Sequence, residues 1–151
     1  MKLFQQREAV VIVGCGRVGA ALTISESEKG HGVLVIDRDE RAFLRLPPDC
    51  RKFSVTADGT DPDALRDALL ARTRVVVALT GSDTTNIMVA HIAKELLHVP
   101  HVIARLYDPD LGNFYRREGI ETICPSELSS KEIIGILSGQ LTTTESGEQR
   151  L

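Results

Sequence analysis

The sequence lacks the residue patterns that several classes of protein require. Its three cysteines form no Cys-x-x-Cys pair and its four histidines have no metal-ligand spacing, so we expect no metal site. Lysine and arginine are not clustered and the net charge is -3, which argues against nucleic acid as a partner. No apolar run approaches the ~20 residues of a membrane span, and no signal peptide is visible. We therefore expect a cytoplasmic protein without direct membrane insertion.

The composition is that of one globular domain. Hydrophobic residues make up 42% of the 151 residues and charged residues 26%, which is typical of a folded, soluble chain. No linker or low-complexity block divides the sequence. We expect a single domain over residues 8–140, followed by a mobile polar tail over 141–151.

The most informative stretch reads as strand, Gly-x-Gly-x-x-Gly, helix, strand and acid. This order is the fingerprint of a dinucleotide-binding β-α-β unit, and the context makes it far more specific than the glycines alone. The parts are residues 9–13, the glycine loop 14–19, residues 20–29, residues 33–36 and Asp37.

Each residue of this fingerprint has a physical role in binding or packing. Gly14 allows the tight turn after the strand, Gly16 lets the backbone approach a phosphate, and Gly19 lets the helix pack closely on the sheet. The helix N-terminus offers free N–H groups to an anion. Asp37 can accept hydrogen bonds from ribose hydroxyls and should repel a 2′-phosphate, so NADP is disfavoured.

Six short apolar runs alternate with helical segments along the chain. This alternation predicts an α/β fold with a doubly wound, parallel, six-stranded Rossmann-like sheet in the order 3-2-1-4-5-6. A ligand should lie across the carboxyl ends of strands one, two and four. The predicted strands are 9–13, 33–36, 53–55, 74–79, 101–106 and 121–123.

Local patterns predict how individual helices begin and which faces they bury. Asp39 and Asp61 are placed to cap helices, Asp61 before a proline at the first helical position. Asp108, Pro109 and Asp110 should begin another short helix. The first helix should turn Val18, with Ala21 and Leu22, toward the core. A helix over 84–97 should bury a stripe that includes Leu96.

Five loops together resemble the RCK N-terminal domain, also called the TrkA-N or KTN domain. The resemblance covers about residues 8–138, and the combination is specific although each later motif alone is weak. A late segment, Gly-Ile-Glu-Thr-Ile-Cys-Pro over 119–125, matches the family's short strand and proline before its last helix. The five loops are Gly-Cys-Gly-Arg-Val-Gly over 14–19, Val-Ile-Asp-Arg-Asp over 35–39, Ala-Asp-Gly-Thr-Asp over 57–61, Leu-Thr-Gly-Ser-Asp-Thr-Thr-Asn over 79–86, and Ile-Ala-Arg-Leu-Tyr-Asp over 103–108.

The resemblance implies a nucleotide-sensing regulator of potassium channels or Trk/Ktr transporters, and no enzyme. ATP, ADP, AMP, NAD or NADH would shift the geometry of a homodimer or larger ring attached to a membrane subunit, so the domain would lie at the inner face of the membrane. Many members continue into a second ligand-binding domain. This sequence stops soon after its last predicted helix, so we expect either a short natural subunit or one part of a longer chain. Matched residue by residue, the family's binding positions are Gly14, Cys15, Gly16, Arg17, Val18, Gly19, Asp37, Arg38, Asp58, Gly59, Thr80, Gly81 and Arg105.

Two of these positions have plainer interpretations, and two other functions fit the same fold. Asp58 could simply cap its own loop without contacting a ligand, and Arg105 could be a surface ion-pair partner. The chain could instead be a redox sensor that reads NADH and NAD. It could also be a small NAD-dependent oxidoreductase, although no histidine stands at a strand end beside an obvious carboxylate.

Overall fold

A computed structural model describes residues 9–69 and 73–139, which form one six-stranded sheet with helices on both faces. All strand pairings are parallel, and the order is β3-β2-β1-β4-β5-β6, so the predicted fold class and strand order are confirmed. The predicted tail at 141–151 lies outside the described residues. The strands are β1 (Ala9–Val13), β2 (Gly32–Asp37), β3 (Ser54–Thr56), β4 (Thr73–Ala78), β5 (His101–Arg105) and β6 (Glu121–Ile123).

The helices fill the connections between successive strands. A short 3-10 helix, Glu40–Arg45, follows β2, and a π-helical turn, Ile92–Leu96, extends the fourth α-helix. The α-helices are α1 (Arg17–Glu28), α2 (Pro48–Arg51), α3 (Pro62–Ala68), α4 (Asp83–His91), α5 (Pro109–Arg117) and α6 (Pro125–Leu137).

The predicted caps at Asp39 and Asp61 are present, and Asp108 caps the helix that was predicted to begin there. The carboxylates of Asp39, Asp61 and Asp108 each accept a hydrogen bond from the backbone N–H two residues further on, at 2.9–3.0 Å. Each cap satisfies one of the amides that a helix start leaves without an intrahelical partner. These caps fix where three helices leave the carboxyl edge of the sheet.

The sheet separates two apolar cores. Val11 of β1 belongs to the core beneath α3 and α4, whereas the next residue, Ile12, belongs to the core beneath α1 and the 3-10 helix. Both side chains are fully buried, as expected for a central parallel strand that is covered on both faces.

The predicted inner face of α1 is wrong at Val18 and Ala21, which are exposed, whereas Leu22 packs half-buried against the core as predicted. Val18 is 51% exposed, and the buried residues of the helix are Gly19, Ala20 and Thr23. Thr23 hides its polar atom by donating from Oγ to the Gly19 carbonyl at 2.8 Å. Small residues face the sheet because the helix lies close to it, and this leaves the larger Val18 at the edge.

The predicted burial of Leu96 is also wrong, since this side chain is 51% exposed. The cause is the π-helical turn, in which the Leu97 N–H donates to the Ile92 carbonyl at 2.9 Å, five residues back. One extra residue in the turn rotates the following side chains away from the direction that a regular α-helix predicts.

Candidate functional site

A cleft of about 540 Å³ opens at the carboxyl ends of β1, β2, β4 and β5. This is where the predicted strand order places a ligand, because the direction in which successive strands are added to the sheet reverses between β1 and β4. The cleft brings together the predicted site residues Gly14, Cys15, Gly16, Asp37, Arg38, Asp58, Gly59, Thr80, Gly81 and Arg105.

Arg17, Val18 and Gly19 do not line the cleft. The Arg17 side chain is exposed at the first residue of α1, beside the glycine loop. Gly19 has a packing role, since a Cβ there would collide with the Gly14 carbonyl oxygen. The glycine fingerprint therefore combines residues that face the cleft with one that lets α1 approach β1.

Gly14 and Gly16 shape the loop in different ways. Gly14 has φ +108°, and a Cβ there would lie 2.8 Å from the carbonyl carbon of Leu79. Gly16 is the N-cap of α1 in an extended conformation, and a Cβ there would meet nothing within 4 Å. Its side of the cleft is open, so an anion can approach the free amides at the start of α1.

Asp37 joins the glycine loop to the loop after β2. Its Oδ2 accepts the Cys15 N–H at 2.8 Å, and its Oδ1 accepts the Asp39 N–H at 2.9 Å. Both oxygens keep a lone pair that can accept a further bond. A carboxylate held in this way is preorganised to receive hydroxyl donors from a ribose.

Asp58 caps its own loop and also faces the cleft. Its Oδ1 accepts the side-chain hydroxyl of Thr60 at 2.7 Å and the Thr60 N–H at 2.9 Å. These bonds, followed by the nearby Arg38 guanidinium, lower the pKa of the Asp58 carboxyl. Its Oδ2 lies 4.0 Å from the Arg38 Nε, so the loop-capping interpretation and a place in the cleft hold together.

Arg105 forms the wall of the cleft at the end of β5. Its guanidinium donates to the carbonyls of Leu79 and Thr80 at 3.0 and 3.1 Å and lies 5.3 Å from the Tyr107 ring centroid. Among the described residues it has no carboxylate partner, which argues against the ion-pair interpretation. Its buried Nε has no hydrogen-bond partner among the residues that the structure describes.

Asn86 is the most important residue that the sequence did not single out. It is fully buried at the start of α4, where Oδ1 accepts the Thr80 N–H and hydroxyl at 2.8 and 2.7 Å. Its Nδ2 donates to the carbonyls of Thr80 and Arg105 at 3.0 and 2.8 Å. The side chain therefore fixes the loop after β4 to the end of β5.

Other residues that line the cleft were also not predicted as site residues. Arg45, at the end of the 3-10 helix, contributes a guanidinium to the cleft, and Asp39 lies next to it. Ser82 and Thr85 line the opposite wall, where the Ser82 Oγ accepts the Thr85 N–H at 3.3 Å and caps α4. The pattern of polar residues after a predicted strand end was a usable signal for these two, whereas no pattern marked Arg45.

The donors and acceptors of the cleft suit a nucleotide. The open backbone at Gly16 leaves room for phosphate, and Asp37 offers acceptors for ribose hydroxyls. The Arg105 Nε is a donor that no other described residue binds. Over 9–69 and 73–139, no group of three histidine, cysteine or acidic residues is arranged to hold a metal ion.

A second, apolar groove of about 720 Å³ lies on the face of the sheet that α1 leaves uncovered over β4–β6. Val75, Ile103 and Ile123 form part of its floor, and Val18 and Leu128 lie on its sides. Leu79 and Arg105 line both this groove and the cleft. The two cavities therefore share a wall.

Helix α6 is the most exposed apolar element of the described chain. Ile133, Ile134, Ile136 and Leu137 are 57%, 61%, 47% and 81% exposed, and Gly135 is the buried residue of this helix. None of the helices in the part of the chain that the structure describes is long and apolar enough to cross a membrane.

The sequence is similar to that of known potassium uptake proteins. A Trk system potassium uptake protein TrkA from Streptomyces coelicolor is 38% identical over 125 residues, which are 83% of this chain and 56% of the relative. The chain thus spans just over half the length of this relative.

Solved structures share the fold at low sequence identity. The TrkA-N domain of the inner membrane protein ybaL from Escherichia coli superposes with a TM-score of 0.74 at 15% identity, covering 89% of this chain and 99% of that one. GsuK bound to ADP superposes with a TM-score of 0.72 at 21% identity, covering 91% of this chain and 36% of that one. At this identity the likeness shows the fold alone.

The family model of the TrkA-N domain matches residues 10–125, which include all six strands except Ala9 at the start of β1, and every residue that lines the cleft. The chain belongs to the TrkA-N domain family.

Proposed function

We propose that the cleft binds an adenine nucleotide, either ATP, ADP or AMP or the dinucleotides NAD and NADH. The observation that carries the proposal is the pairing of Asp37 with the open glycine loop. The ribose of a bound nucleotide would donate hydrogen bonds to the Asp37 carboxylate, and the phosphates would accept them from the amides beside Gly16, within one cleft. The same carboxylate disfavours NADP, because a 2′-phosphate would be repelled.

We further propose that binding regulates a potassium transporter or channel in the membrane. The support is family membership together with the name of the Streptomyces relative, a potassium uptake protein. The domain would act in the cytoplasm, at the inner face of the membrane, through its membrane partner. Nucleotide binding would change the regulator only by binding its two states with different affinity.

A binding role is favoured over catalysis by the residues of the cleft. Among the described residues, the cleft is lined by no histidine, lysine, tyrosine or glutamate, and the carboxylates of its three aspartates, Asp37, Asp39 and Asp58, are engaged in hydrogen bonds that hold loops and a helix start. A redox sensor would use the same cleft and would respond to NADH in preference to ATP or ADP. The ligand panel described below separates these alternatives.

We propose that the active form is a homodimer at least, and that the apolar groove and α6 form its interface. The exposed isoleucines of α6 and the floor of the groove are both apolar and both lack cover within one described chain. Two copies can each offer a helix and a groove, which satisfies the self-complementarity of a two-fold interface. Large exposed apolar patches commonly mark such interfaces.

A thermal-shift panel tests the proposed function. ATP, ADP, AMP, NAD, NADH and NADPH are each added near 100 Kd, where a ligand specific for the native state stabilises it by about 2.7 kcal/mol. We expect adenine nucleotides to raise Tm and NADPH to have the smallest effect. Absence of any shift, confirmed by calorimetric titration, would overturn the binding proposal. A response to NADH alone would favour the redox sensor.

Turnover is checked separately. The protein is incubated with NADH and a set of carbonyl compounds, and the absorbance of NADH is followed. We expect no consumption beyond the rate without protein. Substrate-dependent oxidation of NADH would identify an oxidoreductase and remove the regulatory proposal.

A further inference from the structure

We infer that Asp83 is a positioning residue that transmits occupancy of the cleft to the start of α6. The inference rests on the proposed function, since it concerns how a nucleotide bound against Thr80 acts on a distant element. The geometry that carries it is two groups of hydrogen bonds, joined through the first turn of α4, that lead from the loop after β4 to the first turn of α6.

The series begins at Thr80, which lines the cleft. Its N–H, hydroxyl and carbonyl are all bound to the amide of buried Asn86, and the same amide donates to the Arg105 carbonyl. The loop cannot shift alone, because a displaced Thr80 would leave the polar atoms of Asn86 buried without partners. A ligand that contacts Thr80 therefore acts on the first turn of α4.

Asp83 lies in that same turn and holds the next part of the chain. Its two carboxylate oxygens accept the Tyr107 N–H at 3.0 and 3.1 Å, and its Oδ2 accepts the Asp108 N–H at 3.1 Å. Asp83 itself does not line the cleft. It binds the segment between β5 and α5 as Asn86 binds the last residue of β5.

The Tyr107 peptide then reaches α6. Its carbonyl accepts the Ser126 hydroxyl at 3.1 Å, and the Cys124 Sγ lies 3.5 Å away. The peptide unit between Tyr107 and Asp108 thus joins Asp83, through the Asp108 N–H, to Ser126, through the Tyr107 carbonyl. Hydrogen bonds in such a chain polarise one another, so the two ends respond together.

The position of α6 depends strongly on this attachment. Most of the helix is exposed, and Gly135 is its one buried residue in the described chain. Besides the Tyr107 carbonyl, Glu127 lies 3.4 Å from the Arg116 guanidinium of α5. With so few contacts, a small change at the Tyr107 peptide alters how often the first turn of α6 opens.

Hydrogen exchange measured by mass spectrometry tests the inference on the full chain, with and without saturating ADP and, in a second series, NADH. In the natural sequence we expect ligand to slow exchange in the glycine loop and in the peptide that begins α6. Coupling between sites is typically ~5–150-fold, so we expect at least ~5-fold slowing in α6. In Asp83→Ala the glycine loop should still be protected, whereas the ratio for α6 should fall to about one.

Three further variants make the exchange experiment more specific. Asp83→Asn keeps one acceptor oxygen and should restore part of the slowing in α6. Asp110→Ala removes an equal charge from the first turn of α5, where the carboxylate has no described partner, and should behave as the natural sequence. Ser126→Ala removes an exposed hydroxyl at the far end and should reduce the slowing even if Asp83→Ala folds poorly.

The outcomes separate the two claims. The inference is wrong, and the binding proposal stands, if ligand protects the glycine loop but not α6 in the natural sequence. The same holds if ligand slows exchange in α6 of Asp83→Ala and Ser126→Ala as strongly as in the natural sequence. If neither ligand protects the glycine loop in the natural sequence, the proposed function fails and the inference falls with it.

Discussion

The carboxylate of Asp37 accepts the backbone N–H of Cys15 at 2.8 Å, so the proposed ribose-binding residue also fixes the glycine loop. The residue therefore has two roles that one substitution removes together. Its neighbours in the cleft are placed before any ligand arrives, which lowers the ordering cost of binding.

Asp37→Ala should weaken binding of adenine nucleotides by about 10–100-fold, since hydrogen bonds to a charged group contribute about 1.5–3 kcal/mol. The loss of negative charge should also reduce the discrimination against NADPH. Isothermal titration with ADP, NADH and NADPH measures both effects. Asp63→Ala, an exposed acid in the first turn of α3, is the control. Unchanged ADP affinity in Asp37→Ala would show that the ribose lies elsewhere.

Two glycines of one loop should give opposite results. Gly19→Ala places a Cβ against the Gly14 carbonyl oxygen, and overpacking of this kind should lower the free energy of unfolding by about 3 kcal/mol or more. Gly16→Ala places its Cβ in open space, so stability should be nearly unchanged while phosphate binding weakens. Urea unfolding and nucleotide titration of both variants test this contrast. Equal stability of the two would contradict the packing role of Gly19.

Asn86→Ala should be strongly destabilising, by at least about 3 kcal/mol, because it leaves backbone groups of Thr80 and Arg105 buried without partners. The matched control is Asn113→Ala. Asn113 is exposed on α5 and accepts one bond from Arg116, so its replacement should change stability by less than about 0.5 kcal/mol. Equilibrium unfolding in urea measures both. A small effect at Asn86 would mean that water replaces its four bonds.

Cys15 should make stability fall at alkaline pH. Burial and, after it, the Asp37 charge raise the pKa of this thiol above its ordinary value. Below that value both the folded and unfolded thiols are neutral. As pH rises, the unfolded thiol ionises first, so the stabilisation is lost as pH rises toward the folded pKa.

The measurement compares the natural sequence with Cys15→Ala in urea at pH 8 and pH 10. The difference in unfolding free energy between the two proteins should be smaller at pH 10. Alkylation of the folded protein at pH 8 should also be slow at Cys15, because the reactive form is the thiolate. Rapid alkylation of Cys15 would show that the thiol is accessible and ionised.

Ile134→Glu on α6 should dissociate the proposed dimer. Ile134 is 61% exposed within one chain, so a charge there is harmless to the fold but costly in an apolar interface. Size-exclusion chromatography with light scattering at tens of micromolar measures the mass. Ser130→Glu, exposed on the same helix, is the charge control. A natural protein that runs as a monomer under these conditions would remove the interface proposal.

The sequence predicted the fold well because its signals were local and mutually consistent. The acids at Asp39, Asp61 and Asp108 marked helix starts, and each accepts the expected backbone bond. Strand order followed from two β-α-β halves joined at β1 and β4. These patterns depend on residues close together in the chain, where spacing and chemistry leave few alternatives.

The errors and omissions share a different cause. Val18 and Leu96 were assigned to the interior by helical spacing, but close packing of α1 and the π-helical turn changed which side faces the core. Arg45 reaches the cleft, and Asn86 joins the loop after β4 to the end of β5, only through the tertiary arrangement of their helices. No sequence pattern marked Arg45, and the loop pattern over 79–86 does not report which backbone groups Asn86 binds.

The adjacency of β1 and β4 means that the cleft is assembled from two halves of the chain. Asp37 and the glycine loop come from the first half, and Thr80 and Arg105 from the second. A chain cut in the connection between α3 and β4 would divide the site between two pieces, neither of which carries both walls. Nucleotide binding would then report the reunion of the pieces, as a split reporter does.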